Sequence, residues 1–184
     1  MKFIAIIILA FLTGCSSIEV SHDYDQDTNF TKIKTYQWLP ESMQSKPKTA
    51  NFERKSPFLA KRIKRSIENN MLKKGLVIKD NKADAYITYR MKQNKKTMRQ
   101  PKTKIGIGLG SVFNYGFGSV GFDLTPETET FQQGHLTIDI QDKNKNLLWQ
   151  GKSTSPISEH PTPAETTELI NDIIDKLLEE YPPK

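Results

Sequence analysis

The sequence contains few of the residues that build disulfides, metal centres and common active sites. Its 184 residues include one cysteine and three histidines. A single cysteine excludes an intramolecular disulfide, and His22, His135 and His160 do not have the paired spacing of metal ligands. No serine lies in a GxSxG pattern, and no other nucleophile signature is present. The sequence therefore predicts no metal, no cofactor and no enzyme.

Long apolar stretches are equally scarce. The mean hydropathy of −0.58 excludes a protein that crosses a membrane several times. The length argues for one domain. The ten apolar residues 3–12 follow Lys2. They are too few to span a bilayer, which takes about 20 residues. They match the apolar core of an export signal.

The only cysteine directly follows this apolar segment. Leu12-Thr13-Gly14-Cys15 resembles the lipobox of bacterial lipoproteins. The resemblance implies that signal peptide 1–14 is removed and that acylated Cys15 holds residues 15–184 on a lipid bilayer. An ordinary secretory signal with an unmodified cysteine is the alternative. Ser16 stands where an Asp would favour retention in the inner membrane, so we expect the periplasmic face of the outer membrane in a Gram-negative host.

Charge is divided into blocks along the chain. The net charge is −3 over residues 15–45, +15 over residues 46–104 and −7 over residues 105–184. Such asymmetry indicates an acidic partner, although a solvated face is the alternative interpretation. Candidate partners are anionic lipid, lipopolysaccharide or an acidic envelope protein, and export argues against nucleic acid. The candidate contact residues are Lys92, Lys95, Lys96, Arg99, Lys102 and Lys104.

Alternating apolar residues predict an antiparallel sheet. Strands are expected at residues 18–24, 30–38 and 83–91, and as a hairpin within residues 131–154 that turns at residues 142–146. Residues 40–56 are polar and predict a loop. Residues 92–104 predict a solvated loop or a hairpin arm. Residues 105–122 contain six of the ten glycines, including a GxGxxG sequence with no helical pattern after it. They predict a hairpin or contact loop, not a dinucleotide site.

Two amphipathic helices are predicted to cover the sheet. The first begins at Ser56-Pro57 and ends near Gly75, with an apolar residue at every fourth position. The second begins with a Thr162-Pro163-Ala164-Glu165 capping box and carries one continuous apolar stripe. The sequence therefore predicts a single α+β domain with a mainly antiparallel sheet of five or six strands and both helices on one face.

Several short motifs occur in the order found in one known family. They are Tyr36-Gln37-Trp38, Ala83-Asp84-Ala85-Tyr86-Ile87, Gly134-His135-Leu136, Leu148-Trp149-Gln150-Gly151 and Tyr181-Pro182-Pro183. With the lipobox, they resemble the bacterial lipoprotein family catalogued as domain of unknown function four-one-three-six. The resemblance implies a fold and a location but no catalytic or ligand-binding residues. We expect a non-enzymatic periplasmic binding or envelope-assembly module, with an envelope hydrolase acting on cell wall as the alternative.

Overall fold

A computed structural model describes residues 18–100, 104–107, 120–123, 127–158 and 160–183. For residues 95–100, 104–107, 120–123 and 127–131 it describes the backbone alone. Eight strands and three α-helices occur in these ranges. They are β1 (Glu19–Tyr24), β2 (Thr35–Trp38), α1 (Thr49–Lys55), α2 (Pro57–Lys73), β3 (Val77–Ile78), β4 (Ala85–Gln100), β5 (Lys104–Ile107), β6 (Val120–Asp123), β7 (Glu127–Gln141), β8 (Leu147–Ile157) and α3 (Pro163–Leu177).

Six strands form one mixed sheet in the order β1-β8-β7-β4-β2-β3. The pairs β1–β8, β8–β7 and β7–β4 are antiparallel, whereas β2 runs parallel to both β4 and β3. The chain must cross from one end of the sheet to the other between β2 and β3, and α1 and α2 make that connection. The predicted α+β class, the mostly antiparallel sheet and its six strands are confirmed.

The hydrophobic core lies between one face of the sheet and helices α2 and α3. Alternate residues of β4, β7 and β8 point into it, as the strand period of two requires. Each large apolar side chain buried here contributes about 1.5–3 kcal/mol. The fully buried large side chains are Trp149, Tyr36, Tyr89, Tyr181, Ile63, Ile67, Met71, Leu76, Ile87, Leu136, Ile138 and Ile140. The two helices therefore occupy one face, as predicted.

Helix α3 approaches the sheet closely because β8 carries a glycine beneath it. A Cβ atom placed on Gly151 would lie 3.1 Å from Cγ of Leu177 in α3, and it would overlap the ring of Trp149. Trp149 itself packs edge-on against Tyr181, with ring centroids 4.9 Å apart. The small residue thus leaves space for a buried tryptophan that closes this end of the core.

A pair of buried hydroxyls joins β2 to the segment that follows α3. The Tyr36 and Tyr181 hydroxyl oxygens lie 2.7 Å apart. Burial raises the pKa of Tyr36 to about 12, against the lowering effect of the Tyr181 hydrogen bond. Burial, followed by the proximity of Tyr36, also raises the pKa of Tyr181. Both phenols therefore remain neutral in the folded protein well above neutral pH.

The helix boundaries follow the predicted signals. In α3, Glu165 N–H donates to Oγ1 of Thr162 at 3.2 Å, and Thr162 N–H donates to Oε2 of Glu165 at 2.7 Å. Pro163 occupies the first turn. Helix α2 begins at Pro57, although the side chain of Ser56 makes no capping hydrogen bond. Gly75 follows α2 with φ of +74°, a conformation that glycine adopts without strain.

Two predicted elements differ in kind from the structure. Residues 30–38 do not form one strand, because Phe30–Lys32 is a 3₁₀ turn capped by Asn29, and β2 begins at Thr35. Residues 40–56 are not entirely a loop, since they contain α1. The hydroxyl of Thr49 donates to the carbonyl of Tyr89 at 2.7 Å, so α1 is positioned by a long-range contact with β4 that local composition does not reveal.

Of the two alternatives for residues 92–104, the structure has the hairpin arm as far as residue 100. Strand β4 continues past the predicted end at residue 91 and stays paired with β7 until Gln100 faces Glu127. We use the term hairpin arm for residues 95–100 of β4 and their partners, residues 127–132 of β7. Beyond them, β5 and β6 form a separate two-stranded sheet in which Gly121, the last glycine of GxGxxG, lies within a strand.

Candidate functional site

The sheet face opposite α2 and α3 is lined by polar side chains. Because neighbouring strand residues alternate between faces, the residues between the core positions of four strands fall together here. We call this surface the polar sheet face. It comprises Glu19, Ser21 and Asp23 of β1, Gln150, Lys152 and Thr154 of β8, His135, Thr137 and Asp139 of β7, and Thr88, Arg90 and Lys92 of β4.

A buried carboxylate lies at the centre of one half of this face. Asp139 is 4% exposed, and its Oδ2 accepts from Nη2 of Arg90 at 2.8 Å. Its Oδ1 accepts from Nε2 of Gln150 at 2.6 Å. A buried charge is tolerated when it is paired and hydrogen-bonded in this way. Asp139 therefore holds Arg90 in place while part of the guanidinium remains open to solvent.

The chain between β2 and α1 borders this ion pair. Leu39 N–H donates to the carbonyl of Ile87 at 2.9 Å and extends the pairing along the edge of β4. Gln44 holds the same segment through a 2.9 Å hydrogen bond from its Nε2 to the Leu39 carbonyl. Together with β4 and β7, the segment encloses a cavity of about 260 Å³, which we call the Arg90 pocket.

The Arg90 pocket combines cationic, polar and apolar groups. Arg90 and Lys145 supply positive charge, while Leu39, Met43 and Pro47 form an apolar side. A guanidinium that donates one hydrogen bond to Asp139 keeps further N–H donors for a ligand. The chemistry suits binding of a small polar or anionic group. It does not supply a paired nucleophile and base.

The three histidines do not form a common site. His22 in β1 lies 3.0 Å from a carboxylate oxygen of Glu180, and Nδ1 of His135 in β7 lies 3.1 Å from the hydroxyl of Thr154. His160 is exposed before α3. Among the described residues, no three His, Cys, Asp or Glu side chains form a group that could hold a metal ion.

The basic residues predicted to contact an anionic partner fall along β4 and beyond. Lys92 lies on the polar sheet face, opposite His135. The positions of Lys95, Lys96 and Arg99 belong to the hairpin arm. The backbone of Lys104 lies in β5, whereas Lys102 and the predicted lipid-bearing Cys15 lie outside the described residues. Lys92, Lys95, Lys96 and Arg99 are therefore positions of a single strand, whereas Lys104 belongs to the separate two-stranded sheet.

Another part of the basic block is used inside the protein. Helix α2 lies beside the acidic helix α3, where Arg62 Nε donates to the hydroxyl of Thr167 at 3.0 Å. Lys64 forms a 2.8 Å ion pair with Glu53, and its ammonium group lies 5.3 Å from the ring centre of Trp38. The charge of α2 is thus partly explained by intramolecular packing.

The sequence pattern alone does not identify Arg90 and Asp139 as partners. Both occur at outward positions of predicted strands, where a polar residue is ordinary. Their meeting depends on the β4–β7 register, which places Thr88 opposite Asp139 and Arg90 opposite Thr137. The only usable signal was an acid and a base on strands expected to be neighbours.

The fold and the site define a small α+β domain in which two helices cover one sheet face and polar side chains occupy the other. The chain belongs to the family described as "Domain of unknown function (DUF4136)", whose model matches residues 20–183. This confirms the family indicated by the sequence motifs. The family description assigns no biochemical activity.

Similar solved structures are distant from this chain. A crystal structure of a PDZ domain protein from Parabacteroides distasonis has 16% identity and a TM-score of 0.49, and the match covers 91% of this chain but 36% of that one. The PelC dodecamer from Paraburkholderia phytofirmans, in two crystal forms, has 10% identity and a TM-score of 0.38, with coverage of 87% and 96%. No curated protein matches the chain. Within the described ranges, no helix has the length and apolar content to cross a membrane.

Proposed function

We propose that the protein is a bacterial lipoprotein, anchored through acylated Cys15 at the periplasmic face of the outer membrane, that acts as a non-enzymatic binding or assembly module. The proposed anchor rests on the position of the only cysteine, which directly follows an apolar run of export-signal length. Each buried methylene contributes about 0.8 kcal/mol, and more than one acyl chain is needed for stable attachment.

The start of the fold is consistent with a short membrane tether. Strand β1 begins at Glu19, four residues after Cys15. At about 3.3–3.6 Å per residue, the connection reaches at most about 14 Å. A domain held this close to a bilayer presents the same surfaces to its surroundings continuously, which suits recognition of a partner in the envelope.

The polar sheet face is the surface that best fits a binding role. It offers hydrogen-bonding groups from four strands and the partly open guanidinium of Arg90. A cell-wall hydrolase is the alternative function. A hydrolase is less well supported, because the two histidines that could act as a catalytic base do not meet. The His135 ring is hydrogen-bonded to the Thr154 hydroxyl, and His160 is exposed in another part of the fold.

Membrane fractionation of a Cys15→Ser variant tests the anchor. We expect the wild-type chain to remain in the membrane fraction after a high-salt wash and the variant to be released, because the variant has no site for acylation. Ser16→Asp is the matched control, which should stay membrane-bound but move to the inner membrane. Retention of Cys15→Ser in salt-washed membranes would show that the anchor assignment is wrong.

Site-specific photocrosslinking in cells tests the binding role. A photoreactive residue at position 152 samples the polar sheet face, and the same residue at position 65 samples the exposed side of α2. Both positions carry exposed basic side chains in the native chain. We expect a discrete crosslinked product from position 152 but not from position 65. Equal or absent crosslinking at both positions would contradict a binding role for the polar sheet face.

A further inference from the structure

The chain segment before β1 and the hairpin arm leave the sheet at the same end. One row across four strands joins Glu19 of β1 to Thr154 of β8, Thr154 to His135 of β7, and His135 to Lys92 of β4. Going back from Glu19 leads toward Cys15. Because β1 and β4 run in opposite directions, going forward from Lys92 leads the same way, into the arm.

The arm extends farther from this row than the tether does. Cys15 precedes it by four residues, or at most about 14 Å of chain. Strand β4 continues from Lys92 to Gln100, which is about 27 Å at 3.4 Å per residue. Three strand spacings separate β1 from β4, so the base of the arm lies about 14 Å sideways from the tether. A bilayer that holds Cys15 is therefore within reach of the arm.

Sheet twist inclines the arm toward the plane of such a bilayer. Neighbouring strands rotate by about 20–25°, so three steps turn β4 by about 60–75° relative to β1. With β1 directed toward the membrane, the arm extends obliquely across the surface instead of straight into it. This orientation brings successive residues of β4 close to the headgroup layer.

We infer that the hairpin arm docks on the anionic phospholipid headgroups of the same leaflet that holds the acylated Cys15. This inference rests on the proposed anchor and adds a second, electrostatic attachment that fixes the orientation of the domain. The arm brings Lys95, Lys96 and Arg99 to this end of the sheet, on the strand paired with Glu127 and Glu129, so its described residues have a net charge of +1 and the three cations all belong to β4. Lysine and arginine residues are attracted to an anionic membrane surface within a Debye length of about 8 Å. Lipopolysaccharide occupies the opposite leaflet from a periplasm-facing anchor, so phospholipid is the partner.

Lysines at the opposite end of the sheet serve as an internal control for those of the hairpin arm. The turn between β7 and β8 and the loop that precedes β4 lie there, with exposed Lys143 and Lys79. Seven residues separate Ala85 from Lys92 along β4, which places these lysines about 24 Å from the membrane-facing row. Docking of the arm keeps this end in water.

The test uses the full-length lipoprotein reconstituted in vesicles with a fluorophore on one introduced thiol. An acylated Cys15 is blocked, so Thr97→Cys labels the arm and Asn144→Cys labels the far turn. Quenchers attached to lipid headgroups report proximity. In vesicles containing phosphatidylglycerol, we expect strong quenching at position 97, little at position 144, and loss of the quenching at position 97 as salt rises from about 0.1 M to about 0.5 M.

Paired charge removals separate local attraction from overall charge. Lys95→Gln with Lys96→Gln should lower the docked-to-free ratio about 30-fold, which corresponds to about 1 kcal/mol for each cation near the surface. Lys79→Gln with Lys143→Gln removes the same charge at the far end and should leave the ratio unchanged.

The possible failures are distinguishable. If Cys15 itself accepts the thiol label and the protein does not join vesicles, the anchor proposal fails, and the docking proposal fails with it. If the chain is anchored but position 97 is not quenched, the docking proposal alone is wrong. Equal quenching in neutral vesicles, or quenching that requires lipopolysaccharide, would also overturn docking on anionic phospholipid.

Discussion

Replacement of Gly151 by alanine tests the closest contact between the sheet and α3. The new methyl group would overlap the ring of Trp149 and lie 3.1 Å from Cγ of Leu177. The tryptophan is 1% exposed and packs on Tyr181, so movement of its ring would disturb that contact in the core. We therefore expect the substitution to displace α3 or the tryptophan instead of being absorbed locally.

The expected loss follows from two opposing effects. Overpacking of a core costs about 1–3 kcal/mol. Loss of the glycine also reduces the conformational freedom of the unfolded chain, which stabilises the folded state by about 0.4–1 kcal/mol. Because the added methyl group would overlap a buried ring, the upper part of the overpacking range, about 2–3 kcal/mol, applies, and the net destabilisation is about 1–2.6 kcal/mol. In a Trp149→Phe background the smaller ring leaves room for the methyl group, so the same Gly151→Ala change should cost about 1 kcal/mol less, as a coupling between touching residues.

Urea unfolding followed by far-ultraviolet circular dichroism measures these differences without relying on tryptophan fluorescence. Gly134→Ala on neighbouring β7 is the matched control. Its new methyl group would meet Cδ1 of Ile157 at 2.8 Å and Cε of Met91 at 3.1 Å. Both atoms end flexible side chains, so we expect a change within about 0.5 kcal/mol. A Gly151→Ala variant as stable as the wild type, or one unaffected by Trp149→Phe, would refute the packing argument.

Two further predictions concern the buried hydroxyl pair and the buried ion pair. The pKa values of Tyr36 and Tyr181 are raised above the unfolded value of about 10. Their contribution to the free energy of unfolding is therefore complete below about pH 10 and is lost as pH rises toward about 12. The wild-type unfolding midpoint in urea should fall between about pH 9 and about pH 11. The double change Tyr36→Phe with Tyr181→Phe should make that fall smaller. Asp139→Ala should cost about 1–3 kcal/mol, because it leaves the partly exposed Arg90 guanidinium and the Gln150 amide without their acceptor. Adding Arg90→Met should restore part of that loss in the same urea assay, and no recovery would show that the stranded cation is not the cause.

Much of the fold could be predicted from local patterns. The capping box at Thr162, the stripe of α3 and the alternation of β7 each depend on residues a few positions apart, so their signals lie within a short stretch of sequence. The 3₁₀ turn at Phe30–Lys32 could not be predicted in this way. Distant Asp84 accepts from the backbone N–H groups of Lys34 and Thr35 at 3.0 and 2.9 Å, and thereby helps to set where β2 begins.

The sequence by itself determined the framework of two amphipathic helices and a set of alternating strands, and it motivates the proposed lipid anchor at Cys15. Tertiary structure alone decided how strands distant in sequence are ordered and aligned. That alignment pairs Asp139 with Arg90 and gathers polar groups from four strands on one face. It also brings the chain before Glu19 and the hairpin arm to the same end of the sheet. The physical reason is that strand register is set by backbone pairing and core packing over long sequence separations, which local residue patterns do not encode.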